Sequence, residues 1–222
     1  MVRTFFVAGL LAALVSTDAK AATLDQDALI AASSFATDAM ARSVGNNVIG
    51  QEIRLLQTFT VGRTGTFAGV QVQLTYFNLF PPAFDLIAEV VTLDSAFQPV
   101  SVLGSDSIAP SDVSSDSSVR PNLVFFDIRG FAVSDGVALG LLLRPGGSTL
   151  GIYSLPIEIG GVAPDYGGGS VRTSLAGGSF DNTRTDIGFQ TFVSTNTGVV
   201  PLPAGAALLI TALGALALRR RS

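Results

Sequence analysis

Residues 67–77 read FAGVQVQLTYF, with Val70, Val72 and Leu74 alternating against Gln71, Gln73 and Thr75. On an extended chain successive side chains point to opposite faces, so a period of two describes a strand with one dry and one wet face. A helix would need apolar positions every three to four residues. Residues 57–61 (QTFTV) alternate in the same way. Between the two runs, Gly62, Arg63, Thr64, Gly65 and Thr66 form a Gly-bounded connection of hairpin length. Further strand-like runs follow at 84–93, 99–108, 123–133, 137–143, 151–159, 169–175 and 186–193. Turn signals separate most of them, among them Pro81-Pro82, Asp135-Gly136, Pro145-Gly146-Gly147, Gly160-Gly161 and Gly177-Gly178. Eight or nine strands so spaced predict an all-β chain, an antiparallel β-sandwich of jelly-roll type, with a barrel as the alternative. The folded domain is placed at residues 22–194. Residues 25–42 are Ala-rich and suit a short helix or a first strand followed by a loop, while residues 105–120, rich in Ser and Asp, predict a long exposed loop.

The residue types that are missing exclude much chemistry. The chain has no Cys, no His and no Trp, and its one Lys is Lys20. Thiol nucleophiles, Ser-His-Asp triads, His-ligated zinc, Schiff-base lysines and Walker lysines each lack their reactive atom. Charged residues make up 14%, against a usual share of about 25%. From residue 22 to about 198 eight arginines stand against sixteen carboxylates, so this part carries about −8. Nucleic acid, which needs a basic face, is not an expected partner.

Both ends read as targeting segments. Met1, Val2 and Arg3 form a short basic start, and residues 5–15 (FFVAGLLAALV) form an apolar run within the 7–15 residues of a signal-peptide core. Ala19 and Ala21 supply small residues where signal peptidase reads, which puts cleavage after Ala21 and makes residues 1–21 the signal peptide. At the other end, residues 205–218 (GAALLITALGALAL) are uncharged and span about 21 Å as a helix. Extended back to Val199 the run reaches about 30 Å, the thickness of a bilayer core. Arg219, Arg220 and Arg221 close it as a stop-transfer cluster, and the positive-inside rule leaves the body outside the inner membrane. Residues 195–199 form a short polar tether. A permanent single-span anchor and a tail that is cut off both fit this pattern.

Val200, Pro201, Leu202, Pro203 and Ala204 spell VPLPA immediately before the apolar run and the arginines. In that order the three parts, roughly 23 residues, resemble the VPLPA variant of the PEP-CTERM sorting signals of Gram-negative bacteria. The resemblance implies export by the Sec route and transient residence in the inner membrane. It also implies processing by an exosortase, display at the cell surface or release outside the cell, and association with exopolysaccharide. In the body, QTFTVGRTGTFAGVQVQL (57–74) and DIGFQTFV (186–193) resemble opening and closing strands of sandwich domains in exported bacterial surface proteins. That second resemblance implies a fold like that of carbohydrate-binding modules and carries over no catalytic residue.

The candidate site residues are few. Glycoside hydrolysis needs two facing carboxyl groups, and Glu52, Glu89 and Glu158 sit in no recognisable motif, so the chain is expected not to be an enzyme. No cofactor is expected. Asp106, Asp112 and Asp116, with serines between them, are oxygen donors of the kind calcium takes, without EF-hand spacing. Tyr166, beside Asp165 and before Gly167, Gly168 and Gly169, either offers a ring and a carboxylate to a hydroxyl-rich ligand or packs as part of a turn.

Overall fold

The computed structural model describes residues 22–29, 41–76, 80–114, 122–156, 166–183 and 185–195. The signal peptide with Ala19 and Ala21, the sorting tail from Val200 to the arginines, and Asp116, Glu158 and Asp165 lie outside the described residues. Among the described residues thirteen strands run in chain order: β1 (Thr23–Ala28), β2 (Ala41–Asn46), β3 (Glu52–Thr60), β4 (Gly65–Tyr76), β5 (Leu86–Leu93), β6 (Pro99–Ile108), β7 (Asn122–Phe126), β8 (Ala132–Val133), β9 (Ala138–Pro145), β10 (Gly151–Pro156), β11 (Val171–Leu175), β12 (Asp181–Asn182) and β13 (Phe189–Ser194). Every pairing is antiparallel. Among the described residues no helix is long and apolar enough to cross a membrane.

The pairings fall into two groups. In one, β13 lies between β1 and β4, and β4 carries β7 and β8 on its other edge. In the other, β3 pairs with β11 along one edge and with β9 along the opposite edge, and β9 leads on to β5 and β6. At the start of β3 the edge that β9 leaves is taken by β2, and β10 joins β2 to the end of β4. The described residues are therefore all-β and antiparallel, in an arrangement consistent with a β-sandwich.

Each group buries one face against the other. Val70, Val72 and Leu74 of β4, Leu55 and Phe59 of β3, Leu141 and Leu143 of β9, and Phe189 and Val193 of β13 belong to one core cluster. The Phe59 ring lies 6.3 Å from Phe67 and 6.1 Å from Phe189, so β3 meets β4 and β13 through side chains. That corrects the expected hairpin at residues 62–66. β3 and β4 share no pairing, and their connection crosses from one group to the other. A hairpin would put the two strands side by side in one group, and their rings could not then close the core between the groups.

Residues 105–114, the described part of the expected loop at 105–120, also depart from that expectation. Ser105–Ile108 complete β6, a 3-10 turn follows at Pro110–Asp112, and Val113 is buried. Of the two readings open for residues 25–42, the described part is strand at both ends, β1 and the start of β2.

A second, smaller cluster lies on the other face of β3, β9 and β5, where Leu56, Leu142 and Val91 are covered by Phe180. The segment that carries Phe180 is tied to the β5–β6 turn. The Phe180 N–H donates to Gln98 Oε1 at 2.8 Å, and Gln98 Nε2 donates back to the Phe180 carbonyl at 3.1 Å. The Arg172 guanidinium stacks 4.9 Å over the Phe97 ring beside them.

Candidate functional site

A concavity around Tyr166, which the sequence singles out, lies at the C-terminal end of β3. It is an open cleft of about 390 Å³ lined by Gln26, Asp27, Thr60, Val61, Gly62, Asp135, Tyr166, Gly167 and Gly168. Three chain regions build it. β1 brings Gln26 and Asp27, the Asp135-Gly136 turn is held by the Gly136 N–H donating to the Val61 carbonyl at 2.8 Å, and the segment after Tyr166 lies along β3.

That last segment is laced down residue by residue. The Thr58 N–H donates to the Ser170 carbonyl at 3.0 Å, the Ser170 N–H to Thr58 Oγ1 at 2.8 Å, and Thr60 Oγ1 to the Gly168 carbonyl at 3.0 Å. Gly169 is required there because a Cβ would drive into the Thr58 carbonyl. The Tyr166 hydroxyl accepts from the Thr60 N–H at 3.0 Å and donates to the Thr60 carbonyl at 3.3 Å. Its ring stands edge-on to Phe189 at 5.2 Å and packs on the main core. Tyr166 therefore forms a fixed wall of the cleft, with its hydroxyl already bonded to backbone. The polar residues of the lining are Gln26, Asp27, Thr60, Asp135 and Tyr166, with no arginine among them, and the Asp27 carboxylate also accepts from Gln190 Nε2 at 3.1 Å. Such a set of acceptors and amide groups suits a neutral, hydroxyl-rich molecule.

The other candidates do not converge on this cleft. Glu52 is ion-paired with Arg54 and Glu89 with Arg144, each at 2.6 Å. The Asp106 carboxylate accepts the backbone N–H groups of Ser107 (2.8 Å) and Asp127 (2.7 Å), and Asp112 sits in the 3-10 turn. Among the described residues no three His, Cys, Asp or Glu side chains are grouped to hold a metal. A second concavity of about 400 Å³ lies by Phe84, Asp85, Ser107 and Thr149, where Asn46 Nδ2 donates to the Gly147 and Thr149 carbonyls at 2.8 and 3.0 Å.

Sequence reasoning missed Gln26, Asp27, Thr60 and Asp135 as neighbours of Tyr166. The one local signal was the Asp135-Gly136 turn, and it does not say what the turn lies against. No family model matches this chain, and no curated protein does.

Two tyrosines, Tyr153 buried and Tyr166 half-buried, set an alkaline limit. Tyr153 is fully buried, its hydroxyl donating to the Phe84 carbonyl at 2.7 Å. Burial, with Asp85 adding repulsion, pushes its pKa well above the ordinary 10.0. Burial also raises Tyr166, against the lowering effect of its bond to Thr60. In the unfolded chain both ionise near the ordinary value, so above about pH 10 the folded state binds more protons and stability falls as pH rises. Urea midpoints are expected to hold up to about pH 9 and to drop by about pH 11.5, with a shallower drop in Tyr153→Phe. A midpoint unchanged through that range would contradict the burial of these hydroxyls.

Proposed function

We propose that this chain is an exported, non-enzymatic cell-surface or extracellular-matrix protein. It enters the Sec route through residues 1–21, is held in the inner membrane by residues 205–218, and is processed by an exosortase at the VPLPA stretch. Its folded part is a jelly-roll-like sandwich that ends up at the surface or outside the cell, in association with exopolysaccharide. The observation that carries this reading is the ordered array at residues 200–222: two prolines among small residues, a short uncharged run, then three arginines. A run of that length holds a chain at the bilayer while the basic cluster fixes its direction. Against an enzyme stand the missing residue types and the pairing of Glu52 and Glu89 with arginines.

Removal of residues 200–222 tests the reading. The shortened chain is expected in the soluble periplasmic or secreted fraction, and a shortened chain that still sediments with membranes would contradict it.

A second reading, a lectin-like module, is favoured by the cleft beside Tyr166, whose carboxylates, amide and backbone suit sugar hydroxyls. Asp165 adjoins Tyr166 in sequence and belongs to the same reading.

A further inference from the structure

The outer face of the β1–β13–β4–β7 group is closed at one end, where Gln73 is buried and the Thr75 hydroxyl donates to the Ser114 carbonyl at 3.1 Å, but it is open around Phe125 and is not a uniform polar surface. On β7, Phe125 and Leu123 are 47% and 46% exposed. The Phe125 ring lies edge-on to Phe192 of β13 at 5.9 Å. Under it is Gly69 of β4, at φ 143°, where a Cβ would drive into the ring. The absent side chain lets the ring approach the β4 backbone. Cross-strand register places Gln71 opposite both Phe125 and Gln190, and Gln190 opposite Asp27. Four side chains thus stand in one row across four strands, roughly 14 Å long at the spacing of paired strands. Gln190 Nε2 donates to Asp27 Oδ1 at 3.1 Å, which orients its amide. The Gln71 amide has no protein partner among the described residues.

Aromatic rings beside side-chain amides match the two sides of a sugar: C–H faces that stack, and hydroxyls that both donate and accept. Charge selects among occupants. The region from residue 22 to about 198 carries about −8. The row holds Asp27, and near it the carboxylate Asp127 is already taken by Arg129. An anionic polymer or anionic lipid surface is repelled, and a second copy brings the same acidic face against its like. We infer that this face is a binding platform for a neutral polysaccharide, with Phe125 and Phe192 stacking on sugar rings and Gln71 and Gln190 bonding their hydroxyls. The inference deepens the reading as a glycan-associated surface protein and places contact on a row that adjoins the Tyr166 cleft at Asp27, which belongs to both.

The test is affinity electrophoresis of the full chain in detergent through gels containing dextran, galactomannan or hydroxyethyl cellulose, with alginate as the anionic comparison. At least one neutral polymer is expected to retard the chain, and alginate is not. Phe125→Ala is expected to weaken retardation about tenfold, the scale of one lost aromatic stack, Gln71→Ala to weaken it several-fold, and Phe125→Tyr to preserve it. Melting temperatures matching the parent's show that the variants remain folded. Retardation unchanged in Phe125→Ala and Gln71→Ala overturns the platform and leaves the lectin reading to the cleft. Retardation by alginate alone overturns it as well. No retardation by any neutral polymer overturns both platform and cleft, and leaves export and processing untouched. A chain that sediments as a dimer, becomes monomeric in Phe125→Ala and binds no neutral polymer assigns the face to a second copy.

Discussion

Phe59→Ala is expected to cost about 3–5 kcal/mol of folding stability, the range for removing a fully buried ring. Phe59 is 1% exposed and sits where the two strand groups meet, against Phe67 of β4 and Phe189 of β13. Tyr166 leans on the same Phe189 from the side of the cleft. None of these neighbours can close the gap by a rotamer change alone, because each is fixed elsewhere. Phe67 stacks on Phe131 at 5.0 Å, the Phe189 ring meets the Tyr166 ring edge-on at 5.2 Å, and Tyr166 is bonded to Thr60. The cavity therefore stays open, and the cost lies toward the upper part of the range. For a domain of this size that lowers Tm by on the order of 10 °C. Val100→Ala, at a position 67% exposed on β6, is expected to change stability by less than about 0.5 kcal/mol. Paired thermal melts by circular dichroism check both. Equal, small effects at the two positions would mean that the groups do not pack through Phe59.

The strands with one wet face were the most legible part of the fold. β4 declares itself because Val70, Val72 and Leu74 face the core while Gln71 lies on the outer face. β3 and β9 are less plain, since Leu55 and Leu56, or Leu141, Leu142 and Leu143, are buried in succession. The alternate leucines are dry because the Phe180 segment folds over that face, and nothing within β3 or β9 announces a cover supplied from residues 176–183. Gln57 is a second case. It shares the core-facing positions of β3 with Leu55 and Phe59 and is fully buried, yet it is an amide. Its Nε2 donates to Asp186 Oδ1 at 2.7 Å and its Oε1 accepts the Ile187 N–H at 3.1 Å. The partners lie 129 and 130 residues away, so a sequence window cannot show that the position is satisfied.

The candidate sites follow the same logic. Tyr166 stood out as an aromatic in a Gly-rich turn, but its cleft partners come from β1, the end of β3 and the Asp135 turn. The aromatic and amide row on the outer face depends on register among β1, β13, β4 and β7, which no local pattern fixes. Turn residues mark where strands end. Which strands then pair is set by the burial of whole faces, and that is how the connection at residues 62–66 comes to cross between groups instead of closing a hairpin.

Processing at residues 200–222 is expected to be complete, so that every mature molecule lacks the apolar run. A permanent anchor and a transient one share the same length, hydropathy and basic stop. They differ in what remains after processing, and covalent mass reads that directly. Intact-mass and terminal-peptide mass spectrometry of the protein from native cells is the decisive measurement. The account predicts a first residue of Ala22, following cleavage after Ala21, and a last residue within or near the VPLPA stretch, with residues 205–222 absent. Mature protein that ends at Ser222 with the apolar run intact would contradict it.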